Sequence, residues 1–240
     1  KESDGIMVAR GDLGIEVPYY DVPTIKKMLI KKSNAKGIPV ITATQMLLSM
    51  TQNERATRAE ISDVANAVLD GTDIVMLSEE SAVGENPVNV VETMHNIISQ
   101  TEKIFDHEKR YKFTYLDEFD VIQATVTKLA DDLSADGILS LTSSGNSARK
   151  MSRYRPITPL YTFAHDKETL TGLTALWGVE PITTVKEAQA SKMIQRMLRS
   201  LEKREILNKK GLYICTVGYP VGIPGSTNTI KILTNSEIEF

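Results

Sequence analysis

The stretch Gly5-Ile6-Met7-Val8-Ala9-Arg10-Gly11-Asp12 is a short apolar run that turns abruptly polar, which is typical of a buried strand followed by a polar loop. Similar runs recur at Val40–Ala43 and Ile74–Leu77, and the units that contain them begin 34 positions apart. This period is close to the roughly 31 residues per unit expected when about 250 residues form eight units of a (β/α)₈ barrel. Residues 1–108 are therefore predicted to be part of such a barrel.

Helix signals fall between these strands. Gly37 and Gly71 each follow an apolar helical pattern, where a left-handed residue can end a helix. Thr57 and Glu60 have the spacing of a capping box at a helix start. The order is strand, helix, strand, helix, strand, and parallel strands are expected.

A second alternating block follows the polar stretch between residues 106 and 120, which has the composition of a domain boundary. Its apolar runs predict strands near residues 138–142, 160–163, 181–184, 212–217 and 229–233. The last two are joined by a Gly-rich loop that leaves no room for a crossover helix, so they should pair antiparallel. Residues 109–240 are predicted to form a small three-layer α/β domain with a mostly parallel sheet.

Composition limits the class of protein. Hydrophobic residues make up 41% and charged residues 25% of the 240 residues, an ordinary globular mixture. The net charge of −3 argues against binding of a nucleic acid through bulk electrostatics. No apolar run has the roughly 18 to 20 residues of a membrane span. The single cysteine, Cys215, is expected to be a buried strand residue, and a cytoplasmic location is expected.

Polar residues follow each strand of the first block, at the edge where parallel α/β proteins place their active sites. A guanidinium suits phosphate or carboxylate, a glycine lets backbone amides approach an anion, and a carboxylate suits Mg²⁺. The pattern indicates a site for an anionic substrate and a metal, although such residues also serve as caps and loop anchors. The rim residues are Arg10, Gly11, Asp12, Thr44, Gln45, Ser78, Glu79 and Glu80.

Several long segments, in this order, resemble pyruvate kinases: Ser3–Gly14, Ala43–Leu47, Thr57–Glu60 and Ser62–Gly71. The similarity extends more weakly to the C-terminus. It implies a chain that contains the last three barrel units and the C-terminal allosteric domain of that family. It also implies phosphoryl transfer from phosphoenolpyruvate to ADP in glycolysis, with Mg²⁺ or Mn²⁺ and often K⁺, by a homotetrameric cytoplasmic enzyme.

The resemblance also implies residue roles. The amides of Gly11 and Asp12 and the hydroxyl of Thr44 would bind the phosphoenolpyruvate carboxylate, and Asp12 would hold the divalent metal. Arg10 would organise the site. Protonation of the enolpyruvate is expected near Thr44, through water and Ser78. The phosphoryl-stabilising Lys, a second metal-binding Glu and the K⁺ ligands belong to strands absent from this chain, so the chain alone is expected to be inactive.

Two positions depart from the family pattern. Glu79 stands where a glycine is usual, and Leu48 stands where a carboxylate is usual. Neither removes a residue assigned to substrate or metal, but both change the charge of the rim. Arg58 and Glu60 lie in a segment that the family uses near a subunit interface, although a capping box together with charge on the helix surface also accounts for both residues.

The second block has its own candidate site, in which hydroxyls, a glycine and helix N-terminal amides could hold a phosphate. The spacing resembles the effector loop of allosteric pyruvate kinases, which implies a sugar-phosphate or nucleotide effector. Ser143 and Asn146 stand where many activated members carry a cation; Arg149, Arg153 and Arg155 could compensate, although a basic helix surface explains them equally simply. The effector residues are Thr142, Ser143, Ser144, Gly145, Ser147 and, in a later loop, Gly225.

Two other functions fit the same residues. The chain could be a metabolite-binding module without catalysis, in which the barrel part is scaffold. It could also come from an unrelated barrel enzyme with a similar anion-binding rim, in which case Asp12→Ala would leave phosphoenolpyruvate binding unchanged.

Overall fold

A computed structural model describes residues 3–107, 114–187, 189–218 and 227–238. The chain divides into two compact units, Lys1–Asp106 and His107–Phe240. This division falls two residues before the boundary predicted at 108/109. No helix in the described part of the chain is both long enough and apolar enough to cross a membrane.

The first unit is built on a three-stranded parallel sheet in the order β1-β2-β3, as predicted. The strands are β1 (Ile6–Ala9), β2 (Val40–Ala43) and β3 (Ile74–Val75). The prediction that the third strand reaches Leu77 is wrong. Its last ladder hydrogen bond runs from Met76 N to Thr42 O at 3.0 Å, and the chain then turns so that the amide of Ser78 is bound by a side chain rather than by the sheet.

Helices of the first unit begin and end at the predicted signals. The α2 and α3 helices end at Gly37 and Gly71, whose φ angles of 67° and 94° are left-handed. Thr57 and Glu60 form the capping box at the start of α3. The helices are α1 (Arg10–Glu16), α2 (Val22–Lys36), α3 (Arg58–Asp70), α4 (Glu79–Ala82) and α5 (Pro87–Glu102).

The second unit contains a five-stranded sheet in the order β6-β5-β4-β7-β8. All pairings are parallel except that of β7 with β8, which is antiparallel, as predicted. The strands are β4 (Gly137–Thr142), β5 (Leu160–Ala164), β6 (Val179–Thr184), β7 (Leu212–Gly218) and β8 (Thr227–Thr234). The helices are α6 (Glu118–Asp132), α7 (Asn146–Arg153), α8 (Lys167–Gly172), α9 (Ala190–Lys203) and α10 (Asn235–Ile238).

Helices cover both faces of this sheet because its strands bury alternate side chains on opposite sides. Ile138 of β4 packs with α6 and α7, whereas its neighbour Leu139 packs with α9. Cys215 of β7 is fully buried on the α9 side, which confirms its prediction as a buried strand residue. The sheet therefore holds two separate apolar clusters, one beneath each helical layer.

Candidate active site

The rim residues after β1 and β2 lie in direct contact. The amide of Gly11, in the first turn of α1, donates a hydrogen bond to Thr44 Oγ1 at 3.0 Å. Gly11 and Asp12 are exposed and Thr44 is half-buried, so solvent reaches all three. Two groups predicted to bind the same carboxylate thus stand within hydrogen-bond distance of each other.

The Arg10 side chain connects the segment that contains Thr44 to α3. Its Nε donates to Ala43 O at 3.2 Å and a terminal nitrogen donates to Thr44 O, so the guanidinium binds the end of β2. Its other terminal nitrogen pairs with Asp63 of α3. Each of the three guanidinium nitrogens of Arg10 donates to a protein group, so in this structure the side chain holds the end of β2 against α3.

Asp63 is a partner of Arg10 that the sequence analysis missed. Its carboxylate also lies 3.8 Å from the ammonium of Lys26, a buried residue of α2 that sits 3.4 Å from Asp70. The resulting chain of alternating charges connects the rim to α2 and α3. Asp63 and Asp70 both lie in the Ser62–Gly71 motif. Their partners Arg10 and Lys26 lie 53 and 44 positions earlier in the sequence, so a search for nearby charge pairs does not find these ion pairs.

The backbone after β2 adopts a conformation that side chains rarely take. Thr44 and Gln45 have φ angles of 70° and 54°. A left-handed conformation at two consecutive residues that are not glycine costs free energy and concentrates at functional sites. This turn projects the Thr44 hydroxyl toward Gly11, so the strained pair lies at the predicted substrate contact.

Asp12 offers a carboxylate with no hydrogen bond or ion pair to any described residue, on the exposed side of the rim. Among the described residues, no group of three His, Cys, Asp or Glu side chains could hold a metal. Mg²⁺ is commonly bound through one or two carboxylates together with substrate phosphate and water. Asp12 therefore fits as one metal ligand but does not make a complete site.

The prediction that Glu80 is a rim carboxylate available to a metal is wrong. It is only 1% exposed, and its two oxygens accept hydrogen bonds from the amides of Leu47 at 3.1 Å and Ser78 at 2.7 Å. It joins the segment after β2 to the segment after β3. Glu79, by contrast, is exposed, so the departure from glycine adds a charge on the outside of the rim.

Ser78 follows β3 as predicted. Its backbone forms hydrogen bonds with the side chains of Glu80 and Ser81 rather than with Thr44.

Leu48, the second position that departs from the family pattern, is 38% exposed. The next residue, Ser49, donates its amide to Glu60 at 2.7 Å. Glu60 thus does more than cap α3, because it also holds the segment that follows the rim.

The second predicted site forms a compact turn between β4 and α7. The amide of Gly145 donates to Thr142 Oγ1 at 2.9 Å, and Gly145 has a left-handed φ of 81°. Ser144 is exposed, Ser143 is half-buried and Ser147 is buried. The predicted residues therefore share one turn, but the Thr142 hydroxyl and the Gly145 amide already satisfy each other. Gly225 lies outside the described residues.

The structure contradicts both hypotheses for Arg153 and Arg155. Neither side chain is available to bind a phosphate, and neither forms a basic helix surface. Each is 2% exposed. Arg153 pairs with the buried Asp120 of α6 and donates to Thr114 O at 2.8 Å. Arg155 stacks on Trp177, 5.0 Å from the ring centre. Both guanidiniums are bound within the fold. The Arg149 guanidinium lies beside Gly145 of the turn.

The fold and the rim together define an α/β protein with mainly parallel sheets and polar residues at the carboxyl ends of its first three strands. Two family models match: the pyruvate kinase barrel domain over residues 1–91 and the pyruvate kinase alpha/beta domain over residues 120–233. The chain belongs to the pyruvate kinase family.

Individual relatives agree with this assignment. The chain is 43% identical to the pyruvate kinase of Lactobacillus delbrueckii subsp. bulgaricus, over 96% of this chain and 40% of the relative. It is 42% identical to that of Clostridium acetobutylicum, over 96% of this chain and 50% of the relative. A crystal structure of a pyruvate kinase from Cryptosporidium parvum matches with a TM-score of 0.88 and 36% identity, over 97% of this chain and 47% of that chain. The chain thus spans between two fifths and half the length of these relatives.

Proposed function

We propose that this chain forms the C-terminal part of a pyruvate kinase, which transfers a phosphoryl group from phosphoenolpyruvate to ADP and yields pyruvate and ATP. Its first unit would supply the last three units of the (β/α)₈ barrel and its second unit the regulatory domain. The observation that carries the proposal is the hydrogen bond from the Gly11 amide to the Thr44 hydroxyl, together with the hydrogen bond from Arg10 to the Thr44 carbonyl. It brings together the groups that the family resemblance assigns to one substrate carboxylate.

Substrate binding follows from the donors at the rim. The amides of Gly11 and Asp12 and the hydroxyl of Thr44 would bind the carboxylate of phosphoenolpyruvate, which would replace the present hydrogen bond between Gly11 and Thr44. Amides at a helix start favour an anion because they have no partner within the helix. Arg10 would keep Thr44 in its left-handed conformation through the carbonyl hydrogen bonds.

Asp12 would be one ligand of Mg²⁺ or Mn²⁺. When bound, the metal neutralises charge on the transferring phosphoryl group, the main requirement of this reaction class. By the family resemblance, the K⁺ ligands, the phosphoryl-stabilising Lys and the second metal-binding Glu would belong to barrel strands outside these 240 residues. We therefore expect no turnover from the 240 residues alone.

The enolpyruvate left after transfer takes up a proton at carbon to give pyruvate. We assign this step to the neighbourhood of Thr44, with Ser78 and water as the proton route. Ser78 follows the neighbouring parallel strand and is half-exposed, so its hydroxyl is open to water.

The second unit would bind a sugar phosphate or a nucleotide at the turn of Thr142–Ser147. The exposed Ser144 hydroxyl and the nearby Arg149 support this assignment, whereas the loss of Arg153 and Arg155 as phosphate ligands leaves less positive charge there. The full-length protein would be a homotetramer in the cytoplasm, with no nucleic-acid or membrane partner.

The test compares pyruvate formation from phosphoenolpyruvate and ADP, with Mg²⁺ and K⁺, by this chain and by a chain extended upstream by about 250 residues. Only the extended chain should be active. In it, Asp12→Ala should reduce kcat/KM at least 100-fold, whereas Glu16→Gln, an exposed acid in the same helix, should change it less than twofold.

Two results would contradict the proposal. A folded extended chain that binds phosphorylated ligands without turnover would indicate a metabolite-binding module. An Asp12→Ala variant with unchanged phosphoenolpyruvate binding and turnover would indicate an unrelated barrel enzyme with a similar rim.

A further inference from the structure

A groove of about 800 Å³ runs between the edge strand β6 and the outer face of α9. We call it the cationic groove. Its lining holds five cationic side chains and one carboxylate, a local excess of four positive charges in a chain whose net charge is −3. The lining residues are Ile182, Thr183, Thr184, Glu187, Lys192, Gln195, Arg196, Arg199, Ser200, Lys203 and Arg204. No residue of the Thr142–Ser147 turn lines it.

The cations of α9 form one stripe. Lys192, Arg196, Arg199 and Lys203 follow each other at intervals of four, three and four residues, which places them on one face over about 16 Å of helix. Like charges at these spacings destabilise a helix. A helix face that only needs to be soluble usually carries both positive and negative side chains. The repulsion between the four cations therefore destabilises α9 without any benefit to folding.

Two of the groove cations, Lys192 and Lys203, are not neutralised by any described residue. The ammonium groups of Lys192 and Lys203 make no ion pair or hydrogen bond with any described residue. Arg196 pairs with Glu187 at 3.0 Å, but its side chain is 54% exposed, and pairs of this kind are weak. An incoming anion can therefore meet two free ammonium groups and displace Glu187 from a third cation.

The lining also limits the kind of anion. No aromatic side chain is among the described residues that line the groove, so a nucleobase has nothing to stack on. Ile182 is the single apolar residue among the described residues of the lining, which gives a protein partner little to bury. Thr183 and Thr184 add hydroxyls that can donate to phosphate oxygens.

At one end of the groove, Arg204 blocks the pairing of an additional peptide strand with β6. Arg204 donates to the carbonyl of Ile182 and, at 3.4 Å, to that of Pro181. These carbonyls belong to the edge strand β6, and their engagement removes acceptors that a pairing peptide would need. An elongated, multiply charged small anion remains the best match to the charge, length and chemistry.

We propose that the cationic groove binds a linear anion with three or more linked phosphoryl groups, held chiefly by Lys192, Arg196 and Lys203. Recognition depends on the phosphate chain and not on a nucleoside. The groove lies outside both sites described above, so this inference does not depend on the proposed enzymatic activity.

The test is isothermal titration of the 240-residue chain with inorganic tripolyphosphate at 50 and 200 mM salt. The Lys192→Gln/Lys203→Gln variant should raise Kd at least tenfold. The Lys128→Gln/Lys167→Gln variant removes the same charge from exposed positions of the same unit and should change Kd less than twofold. Binding should weaken at the higher salt, because exposed charges are screened. Unchanged circular dichroism spectra establish that both variants are folded.

The competing ligands give distinct outcomes. ATP binding with the affinity of tripolyphosphate supports recognition of the phosphate chain, whereas ATP binding tenfold tighter contradicts it, because it requires nucleoside contacts. A glutamate-rich peptide that binds more tightly than tripolyphosphate assigns the groove to an acidic protein segment and overturns the proposal. Equal loss in both double variants, or no binding by the unmodified chain at 10 mM ligand, also overturns it.

Discussion

The buried ion pair between Arg153 and Asp120 provides the most direct test of how the second unit is held together. The two side chains are 1% and 0% exposed. The Arg153→Met substitution keeps much of the side-chain volume but removes the positive charge. Asp120 would then remain buried without its cation, although it would still accept a hydrogen bond from Leu116 N at 2.8 Å.

The expected cost follows from this burial. Removing one partner of a buried pair typically destabilises a protein by about 3–5 kcal/mol, because the remaining charge is left uncompensated. With a urea m-value of about 2 kcal/mol per molar, the midpoint of unfolding should fall by about 2 M. The double variant Arg153→Met/Asp120→Asn buries no net charge and should be more stable than Arg153→Met alone.

The assay is urea unfolding followed by tryptophan fluorescence. Trp177 is the single tryptophan of the chain, and its carbonyl accepts a hydrogen bond from Ser152 Oγ at 2.7 Å, so it reports on the unit that contains the pair. The matched control is Lys128→Met with Asp132→Asn. That pair is 58% and 60% exposed and should be worth about 0.5 kcal/mol or less.

Two results would refute this reasoning. One is a cost below about 1 kcal/mol for Arg153→Met, which would mean that water or another cation reaches Asp120. The other is strict additivity of the two single substitutions, which would mean that the two charges do not stabilise each other in the folded protein.

Three further predictions concern single positions. Thr57→Ala should destabilise α3 by about 1 kcal/mol because it removes the cap, measured by faster hydrogen exchange of the α3 amides; an unchanged rate would contradict this. Burial tends to raise the pKa of Glu60, but hydrogen bonds from Ser49 and Thr57 outweigh it and lower the pKa. Its stabilisation should therefore be complete above about pH 4.5 and be lost as pH falls through the lower folded pKa, and Glu60→Gln should remove this dependence in acid unfolding curves. Burial raises the pKa of Cys215 to about 12, so a thiol reagent at pH 8 should label it only after unfolding, and labelling of the folded chain would contradict its burial.

Much of the fold was predictable because its signals are local. The apolar runs identified the eight strands found in the described residues, and Gly37 and Gly71 identified helix ends because few other residues tolerate a left-handed φ. The capping box at Thr57 was predictable for the same reason, since its partners lie within one helical turn.

The errors arose where a side chain has a distant partner. Arg153 looks like a surface cation in sequence, but Asp120 lies 33 positions earlier and the packing of α6 against α7 brings them together. Glu80 looks like an open rim carboxylate, but the fold turns it inward onto the amides of Leu47 and Ser78.

The sequence by itself determined the family, the order of strands and helices, and the rim residues Arg10, Gly11, Asp12 and Thr44, because these depend on short motifs and on the side of a parallel sheet where loops meet. Only the tertiary structure decided which charges are free. Asp12 is exposed at the rim, whereas Arg10, Glu80 and Arg153 are committed to the fold. The physical reason is that a charge is neutralised by whatever lies within a few ångströms of it, and the folded chain sets those neighbours across tens of residues.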